Sequence, residues 1–204
     1  ASTQAMAASL LSWWGEQGRV GIPWKSLPNG DRPSPDQELD PYGIWIAEVM
    51  LQQTQLVVVL PYWQRWMVAF PTVEALASAS LEQVRLQWQG LGYYSRARRL
   101  HEAAQMLVGQ PWPRELESWM ALPGIGRTTA ASILSSAFNA PLPILDGNVK
   151  RVLARLKAHP RPPARDQKLF WRWSEALLDP LRSRDFNQAL MDLGATVCLS
   201  RQPS

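Results

Sequence analysis

No stretch of this 204-residue chain sustains the apolar–polar alternation of a strand. Apolar residues instead return every three or four positions in short segments, closed by glycine, proline or a polar cap. This periodicity predicts helices over 5–17, 41–54, 57–70, 72–79, 81–88, 94–108, 113–121, 127–138, 147–156, 166–178 and 184–195. Pro71-Thr72 opens one helix as a cap should, and Pro160, Pro162 and Pro163 break another. Short helices persist only when packed. With 46% apolar residues and 11 tryptophans the chain has material for a sizeable core, in one domain or two small lobes. The expected class is all-α. "LPNGDRPSPDQELDP" (27–41) is polar and proline-rich and reads as a surface insertion. There is no internal repeat, and only "HPRPPARD" resembles a linker.

Charge narrows the partners. A formal net charge of +4 and a pI of 9.6 favour an anionic partner without naming one. No apolar run reaches membrane-spanning length, and the first residues lack a signal peptide's basic start and apolar core. The single cysteine, Cys198, makes an intrachain disulfide impossible and suits a reducing cytosol. The expectation is a soluble protein of the cytoplasm, without membrane contact.

Leu122-Pro123-Gly124-Ile125-Gly126 joins two predicted helices. Two glycines around one apolar residue permit a tight turn with Ile125 as a plug, and its amides lie at the start of the next helix, where anions bind. A plain glycine-closed hairpin explains GxG equally well. Arg127 and the small-residue helix after it let a phosphate backbone approach, and the pattern resembles the helix-hairpin-helix element of DNA-binding proteins.

Two carboxylates stand out. Asp146, in "ILDGNVKRVLAR" (144–155), is placed to cap the helix beginning at Gly147, with Lys150, Arg151 and Arg155 on the face that follows. Glu48 lies among Ile44, Trp45, Ile46, Val49, Met50 and Leu51 and is expected to be largely buried. A buried carboxyl disfavours ionisation and is a usable acid near neutral pH; a glutamate bonded to backbone or to a buried arginine is the structural alternative.

Together "IWIAEVMLQQTQ" (44–55), "GLGYYSRAR" (90–98), the hairpin with "ILDGNVKRVLAR", and "FNQALMDLGATVC" (186–198) resemble adenine DNA glycosylases of the MutY type, in the HhH-GPD superfamily. The resemblance runs from Trp13 to Cys198. It implies a two-lobed helix-hairpin-helix glycosylase fold: a six-helix barrel domain over 35–140, its hairpin at about 113–138, and a second lobe from 1–34 and 141–204. It also implies a monomer that hydrolyses the N-glycosidic bond of adenine opposite 8-oxoguanine or guanine in double-stranded DNA, in a nucleoid-associated setting.

The resemblance assigns roles residue by residue. Glu48 is the acid that protonates adenine at N7, Asp146 the carboxylate that stabilises the oxocarbenium-like sugar, and Asn148 a support for Asp146. The logic is that of a glycosidase with two carboxyls in different surroundings. Gln188 contacts the edge of the flipped adenine. Gln53 and Tyr93 wedge into the duplex beside 8-oxoguanine, with Leu91 lining that side. Aromatics at helix ends usually pack in cores, which is the plain explanation for Tyr93 and Tyr94. Gly124, Gly126, Arg127, Thr128, Lys150 and Arg96 fall to DNA binding, with Arg98, Arg99, Arg151 and Arg155 as further phosphate contacts.

Two other functions compete. The endonuclease III relatives excise oxidised pyrimidines and cut the strand through a lysine Schiff base, but at the nucleophile's position this chain has Thr128. A non-catalytic hairpin module would need neither carboxylate. The family also carries a [4Fe-4S] cluster on cysteines spaced C-x6-C-x2-C-x5-C. Cys198 matches the first, and the second would fall one position past Ser204. One thiolate cannot hold a cluster that needs four ligands. The expectation is therefore a truncated form of a cluster-bearing enzyme. It would hold no cofactor by itself and would be cut short of the C-terminal domain that the family commonly uses on 8-oxoguanine.

Overall fold

The computed structural model describes residues 2–201. Eleven helices follow one another: α1 (Thr3–Gln17), α2 (Pro41–Met50), α3 (Leu56–Ala69), α4 (Val73–Ser78), α5 (Leu81–Trp88), α6 (Ser95–Leu107), α7 (Leu116–Met120), α8 (Arg127–Phe138), α9 (Gly147–Leu156), α10 (Gln167–Leu177) and α11 (Ser183–Thr196). Two 3-10 turns, Pro23–Lys25 and Pro163–Arg165, complete the described residues, among which there is no strand. The class is all-α. No described helix is long and apolar enough to cross a membrane.

Helix starts follow local chemistry. Asp40 accepts from the Tyr42 and Gly43 N–H groups, Thr72 from Ala75, and Ser80 forms a reciprocal capping box with Gln83. Where helices are shorter than their periodicity predicts, turn chemistry is the reason. The helix predicted over 41–54 ends at Met50, after which Gln52 and Thr54 bond back to the carbonyls of Val49 and Leu51 in a turn. The 113–121 prediction shrinks to Leu116–Met120, since the preceding stretch holds Pro111 and Pro113.

The chain forms two compact units, one running up to Leu39 and from Leu134 onward, the other Asp40–Ile133. The second is built around Trp45, Trp66, Trp88 and Trp119, all fully buried. Trp66 meets Trp88 edge-on at 5.9 Å, and Trp119 stacks on Trp112 at 6.0 Å. Each such ring contributes about 1.5–3 kcal/mol through burial. Two of the indole N–H groups in this unit find carbonyl partners: Trp63 donates to that of Gly43 at 2.8 Å and Trp88 to that of Gly92 at 2.9 Å.

In the first unit α11 packs against α1 and α9. Asp192, fully buried on α11, accepts from Trp14 Nε1 at 2.9 Å, from the Arg19 N–H at 2.9 Å and from Arg19 Nε at 2.6 Å. The 27–41 loop is mostly exposed yet tied down. Arg184 donates to the carbonyls of Ser34 at 3.0 Å and Gln37 at 2.6 Å, and to that of Ser136 at the end of α8 at 2.7 Å.

Candidate active site

Asp146 is the N-cap of α9. Its Oδ1 accepts the Val149 N–H at 2.7 Å, so the capping explanation for an aspartate here is realised in full. The carboxyl is half-buried, and burial raises its pKa above the ordinary aspartate value. The Val149 and Asn148 N–H groups and the charges of Arg151 and Lys150 pull in the other direction. A cap and a desolvated carboxylate thus coincide in one side chain.

Asn148, the second residue of α9, accepts at Oδ1 from Arg151 Nη2 at 2.8 Å. Arg151 also donates to the carbonyls of Gly194 at 2.6 Å and Cys198 at 2.7 Å, and Arg155 to that of Leu199 at 2.6 Å. Both arginines therefore satisfy the open carbonyls at the C-terminal end of α11. The sequence reading put these guanidiniums on phosphates, and the geometry corrects it. Two basic residues one turn apart, opposite a helix end, form a cap.

Gln188 is buried on α11 and donates from Nε2 to Asp192 Oδ1 at 2.8 Å. Cys198 is half-buried, and its Sγ accepts from Arg155 Nη1 at 3.2 Å. It is the chain's single cysteine, and no group of three or more His, Cys, Asp or Glu among the described residues fits a metal ion. A four-thiolate cluster does not fit these residues by themselves. The count that leads past Ser204 ends outside the described residues.

In the Asp40–Ile133 unit, Glu48 departs from expectation. Every other residue of α2 is buried, whereas Glu48 is only half-buried. A helix apolar on most sides still has one side left, and Glu48 occupies it. Gln53 and Tyr93 sit at the tips of two turns with left-handed backbones, φ 59° and 48°. Tyr93 is 64% exposed, so core packing does not explain it; Leu91 is buried instead.

Arg96 is the largest correction among the predicted DNA contacts. It is 6% exposed, and its guanidinium donates to carbonyls of Val49, Met50 and Gln52 from Nη1, and of Leu91 and Gly92 from Nη2. Desolvation lowers its pKa from the usual arginine value. The sequence carried the signal: Arg96 lies four residues before Leu100 and seven before Ala103, on the buried face of α6.

The hairpin closes as its glycines predict. Gly124 takes φ 79°, Ile125 is buried, and a Cβ on Gly124 would meet Arg99 Cδ at 3.0 Å. Gln52, which the sequence did not single out, donates from Nε2 to the Gly124 carbonyl and to Thr129 Oγ1, both at 3.3 Å. Gly126 and Arg127 are exposed, and Thr128 is half-buried in the first turn of α8. Arg98 and Arg99 are also exposed, with Arg98 3.9 Å from Glu102, a distance that contributes little.

Known proteins resemble this chain along its whole length. Adenine DNA glycosylases of Mus musculus and Homo sapiens are each 44% identical, over 209 and 211 residues, covering 100% of this chain and 40% and 38% of theirs. The enzyme of Arabidopsis thaliana is 41% identical over 226 residues, covering 99% of this chain and 35% of its own. This chain thus spans about two fifths of the length of those curated relatives. Among solved structures, a thermostable thymine-DNA glycosylase superposes with a TM-score of 0.83 at 25% identity, covering 98% of this chain and 89% of that one. An endonuclease III–DNA complex superposes with a TM-score of 0.77 at 20% identity, covering 100% and 91%, a likeness of fold alone. The sequence model described as the HhH-GPD superfamily base excision DNA repair protein matches residues 46–175. With well over half its length inside that match, the chain belongs to the HhH-GPD superfamily of base excision DNA repair proteins.

Proposed function

We propose that this chain is the catalytic portion of a monofunctional adenine DNA glycosylase, acting on double-stranded DNA at adenine opposite 8-oxoguanine or guanine. The observation that carries the reading is the 44% identity to adenine DNA glycosylases across the whole of this chain. The site chemistry supports it. Glu48 gives a proton to N7 as the C1′–N9 bond breaks and its electron pair leaves with adenine. Asp146, held by its cap bond and poorly solvated, stabilises the positive charge that develops on the sugar. Water then adds at C1′ and loses a proton, leaving an abasic strand. Gly126 and Arg127 offer a backbone phosphate exposed amides and a charge at the start of α8.

Thr128 argues against a Schiff-base lyase, because no amine stands at that position. A single-turnover assay on an A:8-oxoguanine duplex, with and without alkali, tests both points. The expected product is an intact abasic strand, cut only after alkali is added. Failure to release adenine would overturn the glycosylase reading, and prompt cleavage at neutral pH would overturn the monofunctional one. Glu48→Gln and Asp146→Asn should each abolish release while leaving duplex binding nearly intact.

A further inference from the structure

We infer that Arg96 is a positioning residue, whose buried guanidinium locks the turns at 51–54 and 91–93 into one unit and so presents Gln53 and Tyr93 together. Nη1 holds the first turn through the carbonyls of Val49 at 3.0 Å, Met50 at 2.9 Å and Gln52 at 2.5 Å. Nη2 reaches both, with Thr54 Oγ1 at 3.4 Å on one side and the carbonyls of Leu91 at 3.4 Å and Gly92 at 3.3 Å on the other. The fork also lies over the rings of Trp88 at 4.9 Å and Tyr93 at 5.5 Å.

What these contacts fix is a backbone that the tip residues would not choose. Gln53 at φ 59° and Tyr93 at φ 48° are not glycines, and both are exposed, so their own packing cannot impose the conformation. Left-handed non-glycine backbones persist where the surroundings over-determine them. Here the carbonyls just before both tips, those of Gln52 and Gly92, point at one planar cation. Lysine cannot replace it, because a single ammonium cannot serve two turns at fixed spacing. What the tips do on DNA rests on the function proposed above; the clamp itself does not.

Native-state amide exchange on the whole chain tests the clamp. In low urea the hydrogen-bonded amides of Gln52, Thr54 and Leu91 should open with one shared free energy. In Arg96→Lys all should exchange faster together, by about tenfold or more, while Trp66 and Leu76 keep their rates. Gln53→Gly should raise the urea midpoint of the wild type, by relieving the left-handed backbone, and lower that of Arg96→Lys, where the turn has relaxed. On an A:8-oxoguanine duplex, Arg96→Lys and Gln53→Gly should each weaken binding, and their effects should not add. Separate opening of the two turns in the wild type would overturn the clamp even if the lysine variant fails to fold. So would an equal effect of Gln53→Gly in both backgrounds. If the wild type neither binds nor excises, the proposed function fails, and exchange still decides the clamp.

Discussion

Gly194 on α11 lies so close to Asn148 on α9 that a Cβ at 194 would stand 2.7 Å from the Asn148 Cβ and 3.3 Å from its Cα. Real Cβ contacts do not come this near, so α11 meets the start of α9 only because position 194 has no side chain. The closeness also brings the Gly194 carbonyl to Arg151, which holds Asn148. Gly194→Ala should destabilise the chain by about 1–3 kcal/mol, as overpacking does. In an Asn148→Gly background the cost should shrink. A urea midpoint that falls equally in both backgrounds would show that the contact is not the cause.

Asp146 is at once a helix cap and a poorly solvated carboxyl, and pH separates the two. Burial raises its folded-state pKa above the ordinary 3.8, so in the window just above 3.8 the native state binds more protons than the unfolded one. The stability contributed by this group is full below the ordinary value and is lost as pH rises through the folded pKa. Asparagine keeps the cap and carries no charge. Asp146→Asn should therefore be at least as stable as wild type at pH 7, with an advantage that shrinks as pH falls toward 4. Thermal melts across that range check it; an advantage that grows on acidification would contradict the assignment. Asp146→Ala, which loses the cap together with the charge, should lie about 1 kcal/mol below Asp146→Asn at every pH.

Asp192 answers four donors with two oxygens: Trp14 Nε1 and the Arg19 N–H on Oδ2, Arg19 Nε and Gln188 Nε2 on Oδ1. An amide in its place turns an N–H toward one pair of donors. Breaking a buried ion pair costs about 3–5 kcal/mol, but the Arg19 side chain is 31% exposed, so about 2 kcal/mol is the better figure. Asp192→Asn should lose that much by urea melt. It should also free the Gln188 amide, visible as faster exchange of its side-chain protons.

These residues show why some of the molecule was legible in the chain and some was not. The apolar period located all eleven helices, and α5, α8 and α9 fall at the predicted residues. It could not see that Gln52 and Thr54 would fold back into a turn, because their neighbours continue the same period. Asp146 and the hairpin glycines carried their local geometry in residue type alone. Charged residues were the blind spot. Arg96, Arg151 and Arg155 read as surface cations, yet each is bound to carbonyls at a helix end or a turn. Whether a cation faces solvent or an open carbonyl depends on which helix ends nearby, and that is a tertiary fact.

On DNA, a cation that meets phosphate and one that caps a helix respond differently to salt. Arg127 is exposed at the first position of α8, beside the turn amides, where a phosphate would bind. Arg151 spends its guanidinium on Asn148, Gly194 and Cys198. A residue that neutralises one phosphate contributes about 0.9 to the slope of log binding constant against log salt on duplex DNA. Arg127→Ala should therefore flatten the slope by about that amount. Arg151→Ala should instead lose about 1.5–3 kcal/mol of stability, as for hydrogen bonds to a charged group, with its salt slope unchanged. Titration of both variants at several salt concentrations, beside urea melts, separates the two roles. A flattened slope for Arg151→Ala with unaltered stability would return that arginine to the DNA-contacting set.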